Sequence, residues 1–191
     1  MSERPQPVLH ATTDRGEKIM LRLAEQRDID EILATATDPE TLEWVTLPLD
    51  YDRDRAVSYV ESYAPGWWKR GDGAAWVVAD AEGTYAGQLD LRIDARDRQV
   101  ADVGFMTAPH ARGRGYMTAA LRAAVEFGFD ELGLERIEWR AHVGNDGSKR
   151  VAEKAGFIYE GIQRHGCAQR GKRYDCWVAA ILRSDPRAEM T

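Results

Sequence analysis

The sequence predicts an α/β fold with a mixed, mostly antiparallel central sheet of about six to seven strands and helices on both faces. Two observations carry that expectation. Three strand-like segments, Ala75 to Ala79, Tyr85 to Ile93 and Gln99 to Thr107, follow one another across short turn-forming connections, which is the pattern of an antiparallel meander. Beyond them, helical and strand-like periodicities alternate as β-α-β-α-β-β, an order that argues for a mixed sheet covered by helices.

Each element has its own signal. The first 18 residues are polar apart from Val8 and Leu9, so the run Ile19-Met20-Leu21-Arg22-Leu23 is the first expected strand. Asp28 is placed to cap a helix whose Ile29, Ile32 and Leu33 recur at helical spacing before Pro39. From Glu40 to Asp72 the chain carries Trp44, Tyr51, Tyr59, Tyr63, Trp67 and Trp68, with a helix expected from about Asp54 to Tyr63, ending before Pro65. This segment reads as a cover over the sheet. In the second meander strand Leu89, Leu91 and Ile93 alternate with Gln88, Asp90 and Arg92, so one face is apolar and the other polar. A helix from about Tyr116 to Leu132 aligns Met117, Ala120, Leu121, Ala124 and Val125 on one stripe. The strand Arg136 to Val143 alternates cleanly, Asn145 caps the next helix, and Gly156 suits its left-handed end. Strands from Phe157 to about Arg164 and from about Arg173 to Leu182 complete the sheet.

Composition narrows the function. At 191 residues, 43% hydrophobic and 30% charged, the chain is expected to be one globular domain spanning residues 1 to 191. Its 26 Lys+Arg against 32 Asp+Glu give a net charge of −6, which disfavours nucleic acid as a partner. Cys167 and Cys176 lack zinc-binding or framework spacing and read as free thiols in a reducing compartment. No stretch has the length of a membrane span and MSERPQPVLH has no apolar signal core, so a cytoplasmic location is expected. His10, His110, His142 and His165 show no ligand spacing, and no metal is expected.

The most informative stretch runs from Val103 to Met117. A strand breaks at Pro109 and enters a helix through a loop holding Gly113 and Gly115 between Arg112 and Arg114. A helix N-terminus presents unpaired amides and the positive end of the dipole, so the loop suits a pyrophosphate. Threonine at position 118 breaks the dinucleotide fingerprint, and the loop lacks a Gly-Lys-Ser/Thr ending. A second motif, Asn145-Asp-Gly-Ser148 followed by a helix and Gly156-Phe157, lies about thirty residues later at another strand-to-helix junction.

Together the two motifs resemble the GNAT superfamily of acyl-CoA N-acyltransferases, over about residues 19 to 182. His110-Ala-Arg-Gly113-Arg-Gly115 is similar to the family's pyrophosphate loop, with histidine replacing its usual first Arg or Gln. The run Val103-Gly104-Phe105-Met106 and the Glu160-Gly161 pair look like the RimJ/RimL branch, ribosomal-protein-alanine acetyltransferases. The resemblance implies that acetyl-CoA is bound by Phe105, Met106, Thr107, Arg112, Gly113, Arg114, Gly115, Tyr116, Met117, Asn145 and Ser148. It further implies that strand Phe105-Met106-Thr107 splays from its neighbour and polarises the thioester carbonyl.

The tyrosine acid that many members carry seven residues after the asparagine is replaced by Ala152, and Ser148 stands where the branch places its proton donor. A carboxylate proposed as base in that branch falls on or near Cys167. Asp90 is then the leading base candidate, with Glu43 or a water chain to His165 behind it. Trp44 and Glu43 are the candidates for acceptor binding. The expected activity is direct transfer of acetyl from acetyl-CoA to a primary amine, on a protein or peptide N-terminus or a small molecule. The net negative charge leans towards a cationic acceptor. The alternatives are succinyl or another acyl group, or an acyl-CoA-binding module without turnover. A homodimer is compatible with the branch.

Overall fold

A computed structural model describes residues 4 to 186. Residues 1 to 3 and 187 to 191 of the expected domain span lie outside the described residues. Eight strands form a single sheet in the order β1-β2-β3-β4-β5-β6-β8-β7: β1 (Leu9–Thr12), β2 (Lys18–Arg22), β3 (Gly73–Asp80), β4 (Tyr85–Ile93), β5 (Val100–Thr107), β6 (Arg136–His142), β7 (Ile158–Gln169) and β8 (Lys172–Leu182). Among the described residues β5 and β6 form the one parallel pair. The helices are α1 (Ile29–Thr37), α2 (Pro39–Trp44), α3 (Arg53–Ser58), α4 (Ala64–Arg70), α5 (Tyr116–Asp130) and α6 (Asp146–Lys154).

The alternation of β4 organises the molecule. Leu89 and Leu91 are fully buried, and Leu91 reaches Gly128 of α5, whose missing side chain admits Leu91, Leu134 and Ile137 together. Gln88, Asp90 and Arg92 point to the opposite face, under Tyr59 and Tyr63. Helical cover therefore lies on both faces, as the sequence implies. In register with Asp90 stand Ala75 on β3 and Gly104 on β5. Ala75 contributes only a methyl group, and the place a side chain at Gly104 would fill is taken by the Arg92 guanidinium, with Nη2 2.9 Å from where a Cβ would stand.

Four expectations change. Val8 and Leu9 mark an additional edge strand, because β1 pairs with β2 in register from Leu9↔Leu21 to Thr12↔Lys18. The helix after Arg53 does not stop before Pro65. It passes through a π-helical turn, Tyr59–Tyr63, into α4, and Pro65 falls just after that turn, where the change of hydrogen-bond pattern accommodates its missing N–H. Asp28 precedes α1 without capping it through its side chain. Its oxygens instead take Arg22 Nη1 and Nη2 at 2.7 and 2.8 Å, in a nearly fully buried ion pair, and accept the Glu25 N–H. Removing one member of such a pair strands the other charge in the interior, so Asp28→Ala should cost about 3–5 kcal/mol of unfolding free energy by urea titration.

The fourth change concerns the cysteines. Cys167 and Cys176 are joined in a disulfide rather than free. The sequence separation of nine conceals a hairpin: β7 and β8 are antiparallel neighbours, and a register shift between Gln163 and Cys167 brings the two Cα atoms to 5.4 Å. That separation lies inside the range a disulfide bridges. The reducing compartment read from free thiols loses its basis. No helix among the described residues is long and apolar enough to cross a membrane.

Candidate active site

The parallel ladder between β5 and β6 is short. It runs from Val100↔Arg136 to Val103↔Trp139, although β5 continues to Thr107 and β6 to His142. Beyond Val103 the strands part, and the β6-facing edge of Gly104 to Thr107 lacks a ladder partner on that side. Backbone groups freed in this way are obligate hydrogen-bonding groups awaiting a partner.

Two cavities open into this split. The first, about 460 Å³, runs along the loop before α5 and the start of α6, past Thr107, Arg112 to Thr118, Gly147 and Arg150. Gly113 and Gly115 have φ of 75° and 84°, a left-handed conformation that keeps the loop tight and turns its amides towards the groove. Gly115 is the residue before the first turn of α5, so the dipole end also faces the groove. His110, the departure from the usual loop pattern, places Nε2 3.0 Å from the Tyr85 carbonyl and ties the loop to β4.

The loop arginines are already engaged. Arg112 bonds Glu40 at 2.7 Å and pairs with Asp38, holding that carboxyl below its usual range, while Arg114 bonds Glu17 at 3.2 Å and lies over the Tyr116 ring. They brace the loop against α2 and the turn between β1 and β2. Tyr116 and Met117 are buried, so only their backbone is presented there with freedom. Arg15, Arg150 and Lys154, which the motifs did not single out, supply cations along the groove with no carboxylate within 4 Å among the described residues.

The second cavity, about 610 Å³, lies on the other side of the split. Gln88, Asp90 and Arg92 form its floor, and Tyr51, Tyr59, Tyr63 and Trp44 help to wall it. Asp90 is the carboxylate the sequence placed on the polar strand face, and burial pushes it up to about 6, partly offset by the Arg92 guanidinium and reinforced by Asp102. Tyr59 is held well above the usual phenol range by burial. Gln88 and Arg92 were legible as Asp90's neighbours at alternate positions, but no motif flags them.

Six residues line both cavities: Trp44, Val45, Phe105, Met106, Asn145 and Ser148. Trp44 lies against Gly144, 3.6 Å from where a Cβ would stand, and borders the junction. Asn145 Oδ1 accepts the Ser148 N–H at 3.1 Å, capping α6. The Ser148 hydroxyl oxygen accepts Trp139 Nε1–H at 3.0 Å. One lone pair is thus occupied by an indole that can only donate, and the hydroxyl hydrogen is free to turn towards the junction.

Other candidates are not brought together. Glu43 is exposed and lines neither cavity, because α2 turns its side chain outward while its carbonyl accepts Gln169 Nε2 at 3.3 Å. The acceptor role assigned to Glu43 is therefore corrected. Trp68 packs on Phe127 and donates to the Arg4 carbonyl, and neither it nor Trp67 lines the cavities. His165 sits at the bulge of β7, its N–H on Asp175, and lines neither cavity. His142 is buried against Tyr174, with ring centroids 4.9 Å apart.

Residues 18–158 match the Acetyltransferase (GNAT) domain family. The chain belongs to the GNAT acetyltransferases. YdaF of Bacillus subtilis strain 168, named as a ribosomal N-acetyltransferase, is 27% identical over 176 residues, 91% of this chain and 96% of its own. AaaT of Escherichia coli K12, an L-amino acid N-acetyltransferase, is 27% identical over 168 residues, 87% of this chain and 99% of its own. Among solved structures, Mycobacterium smegmatis RimJ in complex with CoA-disulfide superposes with a TM-score of 0.77 at 22% identity, covering 93% of this chain and 88% of that one. The GNAT chain is thus an N-acetyltransferase with the fold of RimJ.

Proposed function

We propose that this N-acetyltransferase holds acetyl-CoA in the groove along α5 and α6 and passes the acetyl group directly to a primary amine held over Asp90. The observation that carries the proposal is the junction of the two cavities at the split between β5 and β6, with Ser148 on its border. Backbone amides around Gly113 and Gly115 take the pyrophosphate. The unpaired edge of Phe105 to Thr107 takes the pantetheine arm and polarises the thioester carbonyl.

The amine nitrogen attacks the thioester carbon, forming C–N and expelling the thiolate as C–S breaks. Asp90 accepts the proton lost by the nitrogen, directly or through one water, and Ser148 donates to the thiolate, which leaves as CoA. No enzyme-bound acetyl intermediate enters this sequence. Acetyl fits because the junction is bordered by the bulky side chains of Trp44, Phe105 and Met106.

The test is calorimetric titration with acetyl-CoA followed by thiol release on adding amines. Saturable binding with thiol release is expected, and absence of binding would remove the reading. Arg150→Glu should raise the acetyl-CoA dissociation constant about tenfold, with a shallower dependence on salt, because it replaces a groove cation with an anion. An unchanged constant would take Arg150 out of the donor site.

A further inference from the structure

Of the ten buried side-chain atoms without a hydrogen-bond partner among the described residues, five belong to four residues that line the second cavity: Gln88 Nε2 and Oε1, Tyr59 Oη, Asp90 Oδ1 and Arg92 Nε, each lying just beneath its surface. Gln88 is only 3% exposed. The Tyr59 hydroxyl lies within reach of both Gln88 and Asp90, but at geometries too poor to satisfy Tyr59 Oη, either polar atom of Gln88 or Asp90 Oδ1. Buried polar atoms left unpaired cost about 1–3 kcal/mol each, so a concentration of them marks where a polar ligand completes the structure.

The chemistry of the five atoms defines that ligand. Asp90 Oδ1 and Gln88 Oε1 accept, as an amine requires, whereas Gln88 Nε2, Arg92 Nε and the Tyr59 hydroxyl donate, as a carboxylate requires. A bare alkylamine would satisfy the acceptors and strand the donors. Arg55 and Arg140 line the same cavity, so three guanidiniums face a single carboxylate. Their ion-pair partners, Asp50, Asp102 and Glu138, all lie outside the lining. With each guanidinium already paired, Asp90 is the one carboxylate among the lining residues, which leaves no acidic cluster to hold the further charges of a polycation. Val45, Leu47, Tyr51 and Met106 give the same cavity an apolar stretch of wall.

We infer that the acceptor is a free α-amino acid with an apolar side chain, its amine docked on Asp90 and the Gln88 carbonyl oxygen and its carboxylate towards the Gln88 amide nitrogen, Tyr59 and Arg92. This rests on the acetyl-transfer reading and specifies its acceptor. The experiment is thiol release at saturating acetyl-CoA with L-phenylalanine, L-phenylalaninamide, phenethylamine, spermidine and a phenylalanine-initiated tripeptide. Phenylalanine should exceed phenethylamine in kcat/KM by about tenfold or more, with the amide between them and spermidine inert.

Equal turnover of phenethylamine or spermidine overturns the inference, as does preference for the tripeptide, which would place a chain N-terminus there. Thiol release from none of the five, with acetyl-CoA still bound, also overturns it while leaving the donor site standing. Failure to bind acetyl-CoA would instead sink the underlying reading. Gln88→Leu separates recognition from folding. It should raise KM for phenylalanine about tenfold, leave KM for acetyl-CoA unchanged, and hold or raise the melting temperature by removing unpaired buried atoms. A lowered melting temperature or unchanged phenylalanine KM would mean that Gln88 serves only the fold.

Discussion

Asp90→Asn should abolish most turnover and stabilise the protein at the same time. Loss of a positioned general base typically removes 10²–10⁴ in rate, so kcat is expected to fall by at least about 100-fold. The low-pH limb of kcat/KM, which should rise through about pH 6 as the Asp90 carboxyl ionises, should vanish. The stability effect follows from the same shift. Unfolded, the carboxyl titrates near 3.8; folded, burial raises it to about 6. Below the unfolded value it is neutral in both states. As pH rises through the folded value, the native protein must hold a charge that the interior disfavours, and stability is lost. Asparagine has nothing to ionise, so the variant and the wild type should melt together at about pH 3, below the unfolded value. By about pH 8 the variant should be more stable by on the order of 2 kcal/mol, roughly 5 °C in melting temperature. Equal melting temperatures at both pH values, with kcat intact, would remove Asp90 from the mechanism.

That pairing of lost activity with gained stability reflects what the sequence makes visible at this site. The polar face of β4 could be read from the alternation of Leu89 and Leu91 with Gln88, Asp90 and Arg92, because strand periodicity is a local property. Which polar residue is buried was not legible. It depends on Ala75 and Gly104 standing opposite Asp90, residues 15 positions before it and 14 after it, and on Tyr59 lining the cavity beside it. Glu43 and Asp90 looked alike as isolated carboxylates; only tertiary placement separates an exposed turn of α2 from a cavity floor.

Turn and cap chemistry carried further than pairing. Gly113, Gly115, Asn145 and Gly156 all stand where their local roles demand, with left-handed glycines and a side-chain cap. The disulfide was hidden for the opposite reason. Its geometry comes from a bulge in the β7–β8 hairpin, and neither the length of β7 nor the position of that bulge has a short-range signature in Ile158 to Gln169. Edge strand β1 was likewise masked, since four alternating residues gain their identity from β2 alongside them.

Ser148→Ala should lower kcat by about 10- to 100-fold and leave acetyl-CoA affinity close to unchanged, and Trp139→Phe should reproduce part of that loss. The reason is the direction of the hydrogen bond between them. Indole nitrogen donates and cannot accept, so Trp139 fixes the Ser148 oxygen at 3.0 Å and obliges its hydroxyl to donate elsewhere. Near the start of a helix a free serine hydroxyl has competing backbone partners, and losing the indole lets it turn to them. Phenylalanine preserves the aromatic ring of a side chain only 2% exposed, removing chiefly the N–H, and its smaller volume is checked by the melting temperature. The decisive measurement is the double variant. If Trp139 acts through Ser148, the second substitution adds little once Ser148 is alanine, and the coupling should reach about 1 kcal/mol or more in transition-state free energy. Additive losses would make Trp139 a packing residue alone. An unaltered kcat in Ser148→Ala would assign the thiolate's proton to solvent, reducing the serine to a cap at the start of α6.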